Sequence, residues 1–196
     1  MKFVKVSYKK KFKRIISYSF KKNNKSFKII DLHIKDLKNL YIFFKKFDDI
    51  EKEYFGFPLF KPTAITFNNM QKNFILYKKE QQHWNYFLLF HRKKIIGLAY
   101  VKKIGFNNKK KEKNKSPTLG GPFLLKKYRR LGLGNTMTKL CAYQIKLAGK
   151  KYLYCRIVTK NKAAVKNALK CGFKMTGEKY KIRKNLYDFE MKKLIN

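Results

Sequence analysis

The chain has 196 residues, 44% of them hydrophobic, with 50 Lys and Arg against 11 Asp and Glu and a formal net charge of +39. That length supports one domain with a substantial core, and the hydrophobic share is ordinary for a globular protein. No apolar run approaches the ~20 residues of a spanning helix, which excludes a helical membrane anchor.

An isolated protein this basic repels itself and adheres to polyanions. Two readings of the charge stand side by side: a polyanionic partner, most simply RNA or a ribonucleoprotein, or a solvated lysine-rich surface. Abundant Lys, Asn, Ile, Phe and Tyr fit an AT-rich coding sequence, which explains the lysines better than the shortage of acids. The charge is uneven: residues 1–28 hold ten Lys and Arg14 and no acid, and a single acid, Glu112, lies between Gln81 and Gly177. Cys141, Cys155 and Cys171 are odd in number and fit no metal-binding spacing, so the expectation is reduced, buried thiols, an intracellular compartment and no metal. The basic, acid-free N-terminus with Ser17 and Ser19 has features of a mitochondrial transit segment but carries Lys rather than Arg. The expected locations are therefore the mitochondrial matrix or the cytoplasm.

In chain order, residues 1–26 read as a basic arm, because their apolar residues follow no single period. Residues 27–196 read as one domain. A strand is expected at 27–31, then a helix over 32–47 with Leu37, Leu40, Tyr41, Phe44 and Phe47 at helical spacing. A second short helix is expected over 48–55. Pro58 and Pro62 break any long element in 56–82. The apolar runs 84–91 and 94–103 predict two strands joined by a hairpin turn at 91–94, and the lysine-rich stretch 107–116 predicts a loop.

Residues 118–125 predict a strand disturbed by Gly120-Gly121-Pro122, which argues for a bulge or a splayed edge. Tyr128-Arg129-Arg130-Leu131-Gly132-Leu133-Gly134-Asn135 follows, opening a helix that lasts to Gly149. Strand, glycine turn and helix form an anion cradle: glycines allow close backbone approach, and a helix N-terminus adds partial positive charge. A strand at 152–158, a short helix at 161–170 with Ala164, Val165, Ala168 and Leu169 inward, and a hairpin of 173–181 with 186–192 complete the chain. Strands alternating with helices, with hairpins at both ends, indicate an α/β domain built on a mixed sheet.

Residues 84–193 resemble the core of the GNAT (Gcn5-related) N-acetyltransferases. Arg129-Arg130-Leu131-Gly132-Leu133-Gly134 is similar to that family's (Arg/Gln)-x-x-Gly-x-(Gly/Ala) signature, and Asn161-x-x-Ala164 with Gly172-Phe173 resembles its second motif. The resemblance implies a mixed, mostly antiparallel sheet flanked by helices, and acetyl-CoA as cosubstrate. By position, Phe123, Leu124 and Leu125 would line the pantetheine arm. Arg129, Arg130, Leu131, Gly132, Leu133, Gly134 and Asn135 would form the phosphate turn, and Asn161 would face the pantetheine or cap its helix.

The catalytic residues stay unassigned. The family's thiol-protonating Tyr lies seven residues after the motif Asn, and Ala168 stands there. His83 and His91 are strand-end residues whose ordinary role is structural, and Tyr128, Tyr154 and Tyr180 are equivalent candidates for an acid. Two functions follow from the resemblance. One is an N-acetyltransferase acting on an amine, small or carried by a ribosomal or other nucleic-acid-associated protein. The other is an inactive acetyltransferase fold serving as a structural, RNA-binding part of a ribonucleoprotein such as an organellar ribosome.

Overall fold

The computed structural model describes residues 4–9, 12–48, 51, 66–79, 84–102, 117–183 and 186–195. The expected loop at 107–116, with Glu112, and His83 lie outside the described residues. Nine strands among those described make one sheet: β1 (Val4–Lys9), β2 (Phe12–Lys22), β3 (Lys25–Asp31), β4 (Trp84–His91), β5 (Lys94–Lys102), β6 (Thr118–Leu124), β7 (Tyr152–Val158), β8 (Lys174–Arg183) and β9 (Leu186–Leu194). Their order is β1-β2-β3-β4-β5-β6-β7-β9-β8. Every neighbour pair is antiparallel except β6 with β7. The helices are α1 (Leu37–Phe44), α2 (Phe67–Lys79), α3 (Leu133–Leu147) and α4 (Lys162–Lys170).

The stretch read as a basic arm is built into the sheet. β2 lies antiparallel between β1 and β3, and Ile15 is fully buried. The reason the period was obscure is visible in the register. Lys5 pairs with Ser17 but Val6 pairs with Ile15, so Ile16 is an extra residue. A bulge there switches the inward face from Ile15 to Tyr18 and Phe20. Asn23 and Asn24 both have positive φ (47° and 56°), as a two-residue hairpin of the primed class requires, and they fold β2 onto β3.

Helix α1 is shorter than its pattern, because residues 34–36 form a 3-10 turn whose Asp36 carboxylate accepts from the His33 N–H at 3.0 Å. Leu37, Leu40, Phe43 and Phe44 face inward from it. Helix α2 is a 13-residue element inside 56–82, where none this long is expected; both prolines precede it in sequence and leave 67–79 unbroken. The Thr66 hydroxyl caps its start, accepting from the Asn69 N–H at 3.2 Å, and Met70 and Phe74 are its buried contacts. Of the expected second helix at 48–55, Asp48 and Glu51 are described. Each side chain accepts from the other's backbone N–H, the reciprocal box that opens a helix.

The sheet carries a separate core on each face. One holds Ile15, Phe27, Ile29, Phe87, Leu89, Val101, Leu153 and Cys155 under α3 and α4. The other holds Tyr86, Leu88, Leu98 and Tyr100 under α1 and α2. Leu169, expected inward on α4, is 51% exposed, whereas Ala168 is buried. The extra residue between the Tyr100–Gly120 and Leu98–Phe123 pairs is the bulge expected from Gly120-Gly121-Pro122.

Candidate functional site: a strand fork capped by a glycine turn

Strands β6 and β7 run parallel but share only two register pairs, Thr118–Tyr154 and Leu119–Cys155. Beyond them β6 stays with β5 up to Leu124, while β7 stays with β9 up to Val158. The sheet therefore forks between residues 120–124 and 156–158. Across the gap β6 and β7 are not paired with each other, which leaves room for an extended ligand arm between them. Gly120 helps to shape this half of β6: an added Cβ would overlap the Tyr100 ring. At Gly121 (φ +84°) a Cβ would lie 3.0 Å from the Leu98 carbonyl.

Past the fork the chain makes a 3-10 turn at Lys126–Tyr128 and enters the glycine turn. Arg130 (φ 60°) and Gly132 (φ 69°) are both left-handed, and Gly132 is the N-cap of α3. The N–H groups of Leu133, Gly134 and Asn135 open a helix in which Thr136 makes the first bond back, to the Gly132 carbonyl. First-turn N–H groups have no intrahelical acceptor. No acidic residue occupies that first turn. Gly134 lets the helix start wedge against the fork: a Cβ there would lie 3.2 Å from the Pro122 ring and 3.4 Å from Asn167 Oδ1. The turn is thus a cationic cradle of backbone donors opening beside the fork.

The structure separates the residues singled out by sequence. Leu133 is fully buried and Leu131 packs against the same core, so the two anchor the turn and leave its backbone outward. Phe123 packs toward the α1 and α2 core and Leu124 toward the α3 core, while the Leu125 N–H bonds to Ile96 at 3.0 Å. Arg129 is engaged elsewhere. Its Nε donates to the Leu124 carbonyl at 2.9 Å and its Nη2 pairs with Glu51. With Lys126–Asp48 at 3.0 Å, it ties the end of β6 to the segment after α1. The Glu51 N–H first, then the Lys126 ammonium, hold the Asp48 carboxyl below its usual range. Arg130 is exposed, and Gly134 and Asn135 are half-buried. The Asn161 Oδ1 accepts from the Ala164 N–H at 3.1 Å, which makes it the cap of α4.

Three residues near the fork escaped the sequence reading. Asn167 on α4 donates to Thr138 Oγ1 at 3.3 Å and stands beside Gly134. Its signal was an Asn inside a short helix, where Asn forms helix poorly. Asp188 and Glu190 on β9 are cross-strand partners of Val158 and Arg156, on the face opposite α3 and α4. Arg156 stacks 3.6 Å over the Tyr180 ring and its Nε lies 3.9 Å from Glu190. Burial pushes the Asp188 carboxyl up, only partly offset by Arg156. Nothing local in the sequence placed these acids, because β9 reaches β7 only through the sheet order.

Other candidates are structural. His91 packs in a tilted contact with Phe27 and edge-on to Tyr128, and its Nδ1 lies 3.1 Å from the Ser26 carbonyl. Burial pushes all three thiols up, Cys155 to about 12, so they are poor nucleophiles. Among the described residues no group of His, Cys, Asp and Glu could hold a metal ion, and no helix is long and apolar enough to cross a membrane.

The family model for the acetyltransferase (GNAT) family matches residues 44–173, a span that contains the fork and the glycine turn. No curated protein matches the sequence. An acetyltransferase of the GNAT family from Streptococcus pneumoniae is similar in structure, at TM-score 0.65 and 23% identity, over 87% of this chain and 99% of that one. The spermidine N-acetyltransferase of Vibrio cholerae, in complex with CoA and spermine, aligns at TM-score 0.64 and 16% identity, over 86% of this chain and 95% of that one. The GNAT domain of S. lividans PAT aligns at TM-score 0.66 and 10% identity, over 89% of this chain and 95% of that one. Identities this low carry the fold, and the family model carries the membership: the chain belongs to the GNAT acetyltransferase family.

Proposed function

We propose that this chain is an acetyl-CoA-dependent N-acetyltransferase. The observation that carries the reading is the fork between β6 and β7 with the start of α3 at its side. The groups present suit a diphosphate on an extended arm: backbone N–H donors at a helix N-terminus, glycines where a side chain would intrude, and two strands that part beyond. The residues holding the phosphates would be Arg130, Gly132, Leu133, Gly134 and Asn135, with Phe123, Leu124 and Leu125 along the arm. Asn161 acts through its cap of α4, and Arg129 through Glu51. When bound, acetyl-CoA supplies an activated acyl thioester.

Transfer requires a neutral amine near that carbonyl, held in place long enough to react. The phosphate turn occupies the α3 and α4 side, so the amine enters from the opposite face, which carries Arg156, Glu190 and Asp188. Asp188 is the carboxylate assigned to take the ammonium proton, because a carboxyl raised by burial is a stronger base. A free polycation is disfavoured by a protein at +39. An amine displayed by a protein bound to nucleic acid is not, since the polyanion screens both. Mixing the purified chain with acetyl-CoA and a ribosomal-protein fraction, then measuring thiol release and acetyl-lysine or acetyl-N-termini, tests the reading. No thiol release above the rate without enzyme would end it.

A second reading is favoured by one residue. Ala168 is 4% exposed at the position of the family's thiol-protonating Tyr. An acetyltransferase fold retained to bind RNA in a ribonucleoprotein would tolerate that alanine. It would also explain why the first strands are so basic. Purified protein would then carry nucleic acid that high salt removes.

A further inference from the structure

The hairpin outside the family match reaches the phosphate turn. Residues 1–43 precede the matched span, and within them the Asn23-Asn24 turn sets the end of β2 beside the start of α3. A Cβ on Gly132 would collide with Lys22 Nζ and lie 3.2 Å from Lys22 Cε. The ammonium therefore stands over the N-cap of a 15-residue helix. That is the unfavourable end for a cation, because a helix N-terminus is itself partly positive. Arg130 adds a further positive charge in the same turn. None of the ion pairs among the described residues involves Lys22 or Arg130. A lysine ammonium meets a helix N-terminus where the ordinary complement would be an acid, with Arg130 in the same turn, and that pairing calls for an anion.

The placement of Lys22 is built rather than incidental. β2 is fixed to α3 by the Ile15 N–H, which donates to Gln144 Oε1 at 2.8 Å in a buried setting. Tyr18 stacks on Phe20 (5.3 Å) and Phe20 on Phe27 (5.4 Å). Phe27 in turn contacts His91 at 5.1 Å, and His91 meets Tyr128, just before the glycine turn, at 5.7 Å. An aromatic chain thus runs from the hairpin to the turn. Lys22 itself is half-buried, so its stem is guided along the protein while its head meets the turn.

We propose that Lys22, which faces Gly132 at the start of α3, is a phosphate-binding residue of the cofactor site. The proposal rests on the acetyl-CoA reading above. It makes the N-terminal hairpin part of the site rather than an appendage.

Calorimetric titration of CoA and of S-acetylpantetheine, which lacks the phosphates, tests it. Wild type, Lys22→Ala, Lys22→Arg and Gly134→Glu are compared, with circular dichroism confirming that each is folded. Loss of one charge-assisted hydrogen bond predicts CoA binding weakened about tenfold or more in Lys22→Ala. Lys22→Arg should restore most of the affinity, S-acetylpantetheine should bind wild type and Lys22→Ala equally, and the salt dependence of CoA binding should become shallower in Lys22→Ala. Equal CoA affinity for wild type and Lys22→Ala, with Gly134→Glu impaired, overturns the role of Lys22 and leaves the acetyl-CoA reading intact. Failure of wild type to bind CoA overturns that reading and this proposal together. Equal weakening for both ligands assigns Lys22 to structure alone and also overturns the proposal.

Discussion

The backbone N–H of Ile15 donates to the Oε1 of Gln144 at 2.8 Å, with both residues fully buried. This bond joins the second strand of the chain to the last turn of the helix that opens at the glycine turn. Replacing Gln144 with Leu leaves a buried N–H without its acceptor, which costs about 1–3 kcal/mol. For a chain this long, that lowers the melting temperature by roughly 3–10 °C. A change within experimental error of zero in denaturant unfolding would show that the hairpin is not held through this bond.

The two arginines of the turn have different partners, and their substitution should separate. Arg129→Ala removes the bonds to Leu124 and Glu51 and should lower stability by about 1 kcal/mol, while leaving CoA affinity within about threefold. Arg130→Ala should leave stability nearly unchanged and weaken CoA binding about tenfold or more. The reverse pattern in paired unfolding and binding measurements would reassign the phosphate contact to Arg129.

Glycine is required in the turn for two distinct reasons. Gly132→Ala puts a side chain on a left-handed residue, at a cost of about 1–2 kcal/mol. Gly134→Glu forces a side chain against Pro122 and a negative charge into the cradle. Acetyl-CoA should raise the melting temperature of wild type, and Gly134→Glu should abolish that rise. An undiminished rise in Gly134→Glu would place the cosubstrate elsewhere.

Asp188 gives a pH dependence whose sign follows from its raised carboxyl. The folded state favours the protonated form, so this group's stabilising contribution is present below the ordinary carboxylate pKa. It is lost as pH rises through the raised folded value. Asp188→Asn should therefore melt higher than wild type near neutral pH, with the difference vanishing in acid. If Asp188 takes the ammonium proton, wild-type kcat/KM rises with pH through that same pKa, and Asp188→Asn loses the step. Unchanged kcat/KM in the variant would remove Asp188 from the chemistry.

Much of the fold was legible because local signals and sheet pairing agreed. Residues 152–158 alternate cleanly and form β7 at those bounds, and Gly120-Gly121-Pro122 announced the bulge in β6. The glycine turn was legible because its geometry needs residues without side chains. Other features were not legible, each for a physical reason. The bulge at Ile16 inverted the face of β2 midway and hid a strand inside an apparent arm, although Asn23-Asn24 was a usable hairpin signal. Among the described side chains of helix α2, Met70 and Phe74 are the buried ones, too few inward positions to declare a period. The position of Lys22 over Gly132 and of Asp188 beside the fork are products of sheet order, which no local pattern encodes. For Arg129, the sequence showed its place in the motif but not Glu51, its partner across 78 positions.

Hydrogen exchange with and without acetyl-CoA tests the central claim, that the fork and the glycine turn form the cosubstrate site, most directly. The account predicts slowed exchange at saturating acetyl-CoA in residues 120–124, 130–136 and 156–158, together with the Asn23-Asn24 turn that carries Lys22. Saturating acetyl-CoA that leaves exchange in these segments unchanged would contradict it.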